Sequence, residues 1–250
     1  TYDPAAKVLF SCDAFGSYGA IGEKIFDDQH SEESLKFYEA EALRYYSNIV
    51  SSFSTFVVKA LDKLAVLDIR CIAPSHGLIW RSQPDRISSL YKRFAGYNTG
   101  GECEKEICII WGSMYGYTKQ GLDAVIKGIE SEQVPYTIHD IPDTDVSYIL
   151  GDAYKAAGLV LAMPTYEYKM FPPMANILDL FERKHFTGKK TLRIGNWGWS
   201  GGAKKEYETA IEKLNWTNFE SYEWQGILSK EDMQILKIHG KELAEAVKNG

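Results

Sequence analysis

The chain has 250 residues, 45% hydrophobic and 25% charged, with a formal net charge of −6. These are the proportions of a globular protein long enough for one large domain or two ordinary ones. The acidic balance and the lack of any basic run exclude a general affinity for nucleic acid, and no run of about 18 apolar residues is present to span a membrane.

The opening "TYDPAAKVLFSCDAFG" has no leading Met and reads as a turn and strand already inside a domain, so a truncated or processed chain is expected. No signal-peptide pattern is present. Residues 7–12 form a strand, followed by the Gly-rich loop "DAFGSYGAIGEK". Ser31, with Glu32 and Glu33 behind it, is an acceptable helix N-cap. Leu35, Tyr38, Ala42, Tyr45, Ile49, Phe53 and Phe56 then recur at helical steps, and "SSFSTF" (51–56) breaks the pattern into two helices. "IRCIAP" (69–74) is a strand, "SHGLIWR" the loop after it, and "QPDRISSLYKRFAGY" an amphipathic helix with Pro84 in its first turn.

A polar joint, "NTGGECEKE" (98–106), places a domain boundary near Gly100, giving domains 1–100 and 101–250. Beyond it strands and helices alternate. "ICIIWG", "YTIHDI", "GLVLAMP", "TLRIGNWG" and "FESYEWQGI" are strands, and 118–132, 144–157, 173–184, 202–214 and 229–248 are helices. This alternation predicts an α/β doubly wound, five-stranded parallel sheet, and the nearly continuous apolar strands fit a sheet covered on both faces. The four cysteines, Cys12, Cys71, Cys103 and Cys108, make no CxxC or zinc spacing and read as buried thiols of a reducing cytoplasm.

In such a sheet ligands bind at the C-terminal strand ends. Ser113 to Thr118 follows one strand and opens a helix, whose unpaired N–H groups and partial positive charge suit a phosphate. It is neither a GxGxxG nor a Walker A loop, and taken alone it is equally an ordinary capped turn. "MPTYEYKMFPP" (163–173) and "GNWGWSGGA" (195–203) set Tyr166, Tyr168, Trp197 and Trp199 among Gly and Pro at two further strand ends. Glycine admits close backbone approach to a flat ligand and aromatic faces stack on it, although one such loop could merely cap a core.

With these loops in view, residues 105–250 resemble a flavodoxin-like domain. "GSMYGYT" resembles its phosphate loop, and "PTYEY" and "GNWGWSGGA" its two ring-flanking loops. The resemblance implies FMN, with Ser113, Met114, Tyr115, Gly116, Tyr117 and Thr118 around the phosphate. Pro164, Thr165, Tyr166 and Glu167 would lie on one side of the isoalloxazine, and Asn196, Trp197, Gly198, Trp199 and Gly201 on the other.

"LFSCDAFGSYGA" and "IAPSHGLIWR" resemble two segments of the flavodiiron proteins (A-type flavoproteins), in which a metallo-β-lactamase-like αββα domain precedes the flavodoxin-like one. By that resemblance Asp13 is the carboxylate bridging two irons and His76 a terminal ligand, chemistry that suits hard oxygen and imidazole donors. His30, His139, His185 and His239 match no ligand segment. The family's H-x-E-x-D-H cluster is absent, so the first domain is expected to be the C-terminal half of the metal domain. A diiron centre is then expected only where the missing ligand-bearing half is present.

The resemblance implies an oxidoreductase passing electrons from FMN to a diiron site that reduces dioxygen to water or nitric oxide to nitrous oxide. Its donor would be a rubredoxin or a reduced deazaflavin, and it would work as a homodimer or with the missing half. The alternative is a metal-free FMN electron carrier whose first domain serves dimerisation or docking. A hydrolase of the metallo-β-lactamase class lacks its ligand cluster and leaves the flavin loops unexplained.

Overall fold

The computed structural model describes all 250 residues, Thr1–Gly250, which divide into two compact units, Thr1–Glu102 and Cys103–Gly250. In the first, β1 (Tyr2–Asp3) runs antiparallel to β2 (Val8–Cys12), which lies parallel to β3 (Cys71–Pro74). Between these strands α1 (Glu32–Tyr45) starts at Ser31, whose hydroxyl accepts the Ser34 N–H. The expected break at "SSFSTF" is a π-helical turn (Tyr46–Val50) and a 3-10 turn (Ser51–Phe53) leading into α2 (Ser54–Leu64). Its cause is a run of serines. Ser47, Ser51 and Ser54 donate to the carbonyls of Arg44, Ser47 and Ser51, and such back-bonding loosens the α-helical ladder.

Pro84 opens α3 (Pro84–Gly96), as its fixed φ favours. Asp27, buried in the loop after β2, accepts the N–H groups of Ser82 and Gln83 just ahead of that helix and so pins the segment that leads into it from more than 50 residues away. Tyr46, Tyr91 and Phe94 build an aromatic core, and the Tyr91 hydroxyl donates to Gly16 O, tying α3 to the loop after β2. Helix α2 buries only Ser54; Phe53, just before it, and Phe56, within it, are 58% and 67% exposed.

The second unit comprises β4 (Glu104–Trp111), α4 (Tyr117–Ser131), β5 (Tyr136–Asp140), α5 (Val146–Lys155), β6 (Ala156–Ala162), β7 (Thr165–Tyr166), β8 (Lys169–Met170), α6 (Pro172–Arg183), β9 (Lys190–Trp197), α7 (Ala203–Ile211), β10 (Thr217–Asn218), β11 (Tyr222–Gln225) and α8 (Lys230–Asn249). The sheet runs β5-β4-β6-β9, with β10 and β11 in turn along the outer edge of β9, and every pairing is parallel. This is the flavodoxin-like doubly wound order.

The outermost strand, expected as one piece, is two. Between Asn218 and Tyr222 the outer chain spends four steps where β9 spends three, from Thr191 to Ile194, and the extra residue interrupts the ladder. One face of the sheet packs Ile107, Ile109, Val160 and Leu192 against Val125 of α4 and Leu243 of α8. These two helices touch along their backbones: a Cβ on Gly128 would come within 2.1 Å of Lys237 O.

Candidate functional site

Three connections leave the C-terminal ends of β4, β6 and β9 on one rim of the sheet. The first is pre-shaped by its own hydroxyl. Ser113 Oγ accepts the Gly116 N–H at 2.8 Å, and Gly116, with φ 83°, turns the chain into α4 in a conformation glycine adopts freely. Thr118 does not face the solvent. It is fully buried, and its hydroxyl donates to Asn196 Oδ1 at 2.8 Å, joining the start of α4 to the end of β9.

The second connection, expected to be a loop, is a hairpin. β7 and β8 pair antiparallel around Glu167 and Tyr168, both in the left-handed region at φ 45° and 65°. That is the geometry a two-residue hairpin turn imposes, here on residues less suited to it than glycine. The third connection locks onto it. Gly202, at φ 151°, lies so near the Tyr168 carbonyl that an added Cβ would sit 2.0 Å from the oxygen. The Met170 N–H donates to Glu206 Oε2 at 2.6 Å, so α7 also holds β8.

Between these loops lies a cavity of about 760 Å³, within the ordinary range for a cofactor site. Ser113, Met114, Tyr115 and Tyr117 line one end; Pro164, Thr165, Tyr166, Glu167 and Tyr168 form one wall; Asn196, Trp197, Gly198, Trp199 and Ser200 form the other. Gly116, Thr118 and Gly201, also named from the sequence, are not part of this lining. Tyr168, Ser200 and Gly226 line the cavity as well. Gly226 follows β11, and the rule that strand C-termini carry the ligand would have pointed to it had that rule been applied to the outermost strand.

No protein-family model matches the chain. It is 29% identical over 249 residues to the anaerobic nitric oxide reductase flavorubredoxin of Vibrio vulnificus, covering 98% of this chain and 49% of that protein. Against the enzyme of the same name from Escherichia coli it is 28% identical over 248 residues, covering 98% and 50%. The chain is similar to the flavorubredoxins along almost its whole length. It spans about half the length of these curated relatives.

Solved flavodiiron structures carry its fold. The flavodiiron protein from Giardia intestinalis covers 99% of the chain, with 60% of that structure matched, at TM-score 0.92 and 22% identity. The rubredoxin:oxygen oxidoreductase of Desulfovibrio gigas gives TM-score 0.92 and 22% identity, with 99% and 61% covered. An archaeal flavodoxin covers 57% of this chain and 99% of its own, at TM-score 0.52 and 25% identity. The two units fit the C-terminal portion of a flavodiiron protein.

Against that fold, the cavity walls suit a flavin. Thr165 Oγ1 is buried in the wall without a hydrogen-bond partner, a polar atom waiting for one from the cavity. The aromatic walls offer stacking faces, and the first turn of α4 offers N–H groups to an anion. Behind the third loop Arg193 is fully buried, with its Nη1 2.6 Å from Glu223 Oε1. Burial pushes its pKa below the usual arginine range while Glu223 acts in the opposite direction, and the guanidinium stays charged.

In the first unit the structure brings Asp13 and His76 together. They leave the ends of the neighbouring strands β2 and β3, with Nε2 3.7 Å from Oδ1 and both side chains more than half exposed. The surrounding loops are stitched by Ser17 N–H to His76 O and Ser75 N–H to Cys12 O, and a Cβ on Gly77 would collide with Ser17. No group of three or more His, Cys, Asp or Glu side chains is assembled there or anywhere in the chain. The pair supplies two donors, fewer than a dinuclear iron site needs.

Tyr45 is the neighbour that sequence reasoning assigned only to a helix core. Its ring lies 5.8 Å from His76, and its hydroxyl is pushed up to about 12, first by burial and then by the Asp13 carboxylate. Its helical spacing carried no sign of the second role. No helix is long and apolar enough to cross a membrane.

Proposed function

We propose that the second unit is an FMN-binding electron-transfer module. The observation that carries this reading is the cavity at the C-terminal ends of β4, β6 and β9, with its unpartnered Thr165 hydroxyl and facing aromatic walls. The N–H groups at the start of α4 and the Ser113 hydroxyl take the phosphate; no lysine or arginine lines the cavity, and a helix N-terminus needs none. Tyr166 and Trp197 would flank the ring and Thr165 would hydrogen-bond its polar edge, while Asn196 is held by Thr118. FMN, when bound, supplies one- and two-electron redox chemistry. The wall contributes Glu167, and negative charge and aromatic stacking both disfavour a fully reduced, anionic ring.

We further propose that the first unit is the C-terminal half of a metallo-β-lactamase-like domain, in which Asp13 and His76 would supply two of the ligands to a diiron centre. The remaining ligands then come from polypeptide outside these residues, and the uncovered apolar residues around α2 are the surface such a partner would cover. Complete, the enzyme reduces dioxygen or nitric oxide with electrons from a rubredoxin-type donor, in a homodimer that brings the flavin of one copy to the metal site of the other. The similarity to flavorubredoxins supports this assignment. A second reading, a metal-free flavin carrier, is favoured by one observation: only two metal donors converge.

An absorption spectrum with iron analysis and intact mass on the purified protein tests both. A flavin spectrum with equimolar FMN supports the module. A colourless protein that takes up no added FMN refutes it. Iron in excess of flavin, with a second chain in the mass spectrum, selects the complete enzyme; negligible iron selects the carrier.

A further inference from the structure

At the opposite end of the sheet from the cavity, where β4, β6 and β9 begin, a lysine and a cysteine meet in a setting the electron-transfer reading does not use. Lys189, immediately before β9, has no solvent exposure. Its Nζ lies 2.7 Å from Tyr154 O, 2.8 Å from Ala156 O and 3.3 Å from Cys103 Sγ. The two carbonyls belong to the last turn and C-cap of α5, where orphan acceptors attract a cation. Closing that helix accounts for two of the amine's three hydrogen bonds. The third goes to sulfur, a weak acceptor where a water or a hydroxyl would do better.

Cys103 is half-buried and not in a disulfide, and it stands at the start of the unit just ahead of β4. Burial pushes the Lys189 amine below the usual lysine range, which raises the share of the nucleophilic neutral form. A half-buried cysteine whose sulfur is in van der Waals contact with a buried amine is the arrangement in which an oxidised sulfur finds nitrogen before it finds a second thiol. The next sulfur along the chain, that of Cys108 in β4, is fully buried.

We propose that Cys103 and Lys189 are an oxidation-driven crosslinking pair, in which peroxide joins Sγ to Nζ in a sulfenamide. In the first step the thiol attacks the peroxide O–O bond; sulfur is oxidised to sulfenic acid and the peroxide is reduced to water. In the second the neutral amine attacks that sulfur, the S–O bond breaks, and the hydroxyl leaves as water with the proton released from nitrogen. The net change is one S–N bond formed, one peroxide consumed, two waters released and two hydrogens lost from the protein. A thiol reductant reverses it by attacking sulfur and returning the amine. The bond would tie residues 86 positions apart. It stands independently of the flavin reading.

The test is intact mass spectrometry and tryptic mapping of the full chain before and after graded hydrogen peroxide, beside Cys103→Ser and Lys189→Arg. Serine keeps the acceptor and the packing, so that variant remains informative even where Lys189→Arg does not fold. The expected result is a species lighter by two hydrogens, with the Cys103 and Lys189 peptides linked, lost in Cys103→Ser and reversed by dithiothreitol. Cys103 passing straight to sulfinic or sulfonic acid with no linked peptide would overturn the proposal. So would a Cys103 that stays reduced at peroxide levels that oxidise the unfolded chain.

Discussion

Thr118 and Asn196 hydrogen-bond at 2.8 Å with the threonine fully buried, so the helix expected to hold the phosphate is joined directly to the strand whose end lines one wall of the cavity. Thr118 thus positions Asn196 rather than presenting its hydroxyl to the cavity. Replacing it by valine leaves the buried Asn196 oxygen without its donor, at a cost of about 1–3 kcal/mol. We predict that Thr118→Val weakens FMN binding by roughly tenfold or more, and riboflavin binding by a similar factor. Equal loss for the two ligands marks a positioning role; a loss confined to FMN would assign Thr118 to the phosphate instead. Flavin fluorescence titration reads both.

Trp197 and Trp199 differ in a way the sequence does not show. Trp199 is 88% exposed, whereas Trp197 is partly buried at the end of β9, its carbonyl fixed by the Gly226 N–H. Trp197→Ala should weaken FMN retention by about tenfold, and Trp199→Ala by less. Unchanged affinity in Trp197→Ala would remove that residue from the site.

The pair of Arg193 and Glu223 is a stability element behind the third loop. Glu223→Gln leaves a buried guanidinium without its counter-charge, and losing one partner of a buried pair costs about 3–5 kcal/mol. Chemical denaturation of the variant should show that loss in the transition of the second unit. A change below about 0.5 kcal/mol, the ordinary range for a surface substitution, would mean that the pair is replaceable by solvent.

Asp232 carries a pH dependence. Burial raises its pKa, but hydrogen bonds from the Ser229 and Tyr222 hydroxyls and the Ser229 N–H outweigh that and hold it below the usual carboxylate value. A depressed carboxylate stabilises the fold above its unfolded pKa of about 3.9, and that contribution is lost as pH falls through the folded value. Wild type should therefore lose stability against Asp232→Asn as pH drops below about 4, with a constant difference between the two above pH 5. A difference that stays constant through the acid range would contradict the assignment.

Much of this was legible in sequence because the signals were local. Apolar strands such as "ICIIW" alternating with helices specify a doubly wound sheet, and Ser31 and Pro84 mark helix starts through their own backbone chemistry. What stayed hidden is set by partners distant in sequence. Asp27 pins the approach to a helix more than 50 residues on, Thr118 turns inward because Asn196 is there to meet it, and Tyr45 lies beside Asp13 and His76. The β7–β8 hairpin was obscured because its turn uses Glu167 and Tyr168, neither of which announces a left-handed backbone. The split of the outer strand follows from one extra residue, which no periodicity records.

We propose that FMN occupies the cavity at the C-terminal ends of β4, β6 and β9. Titration of the flavin-free protein with FMN, followed by flavin fluorescence, tests it most directly. Quenching should saturate at one flavin per chain as the ring stacks between the aromatic walls, with riboflavin binding more weakly for want of the phosphate. Fluorescence that stays at the level of free FMN throughout the titration would contradict it.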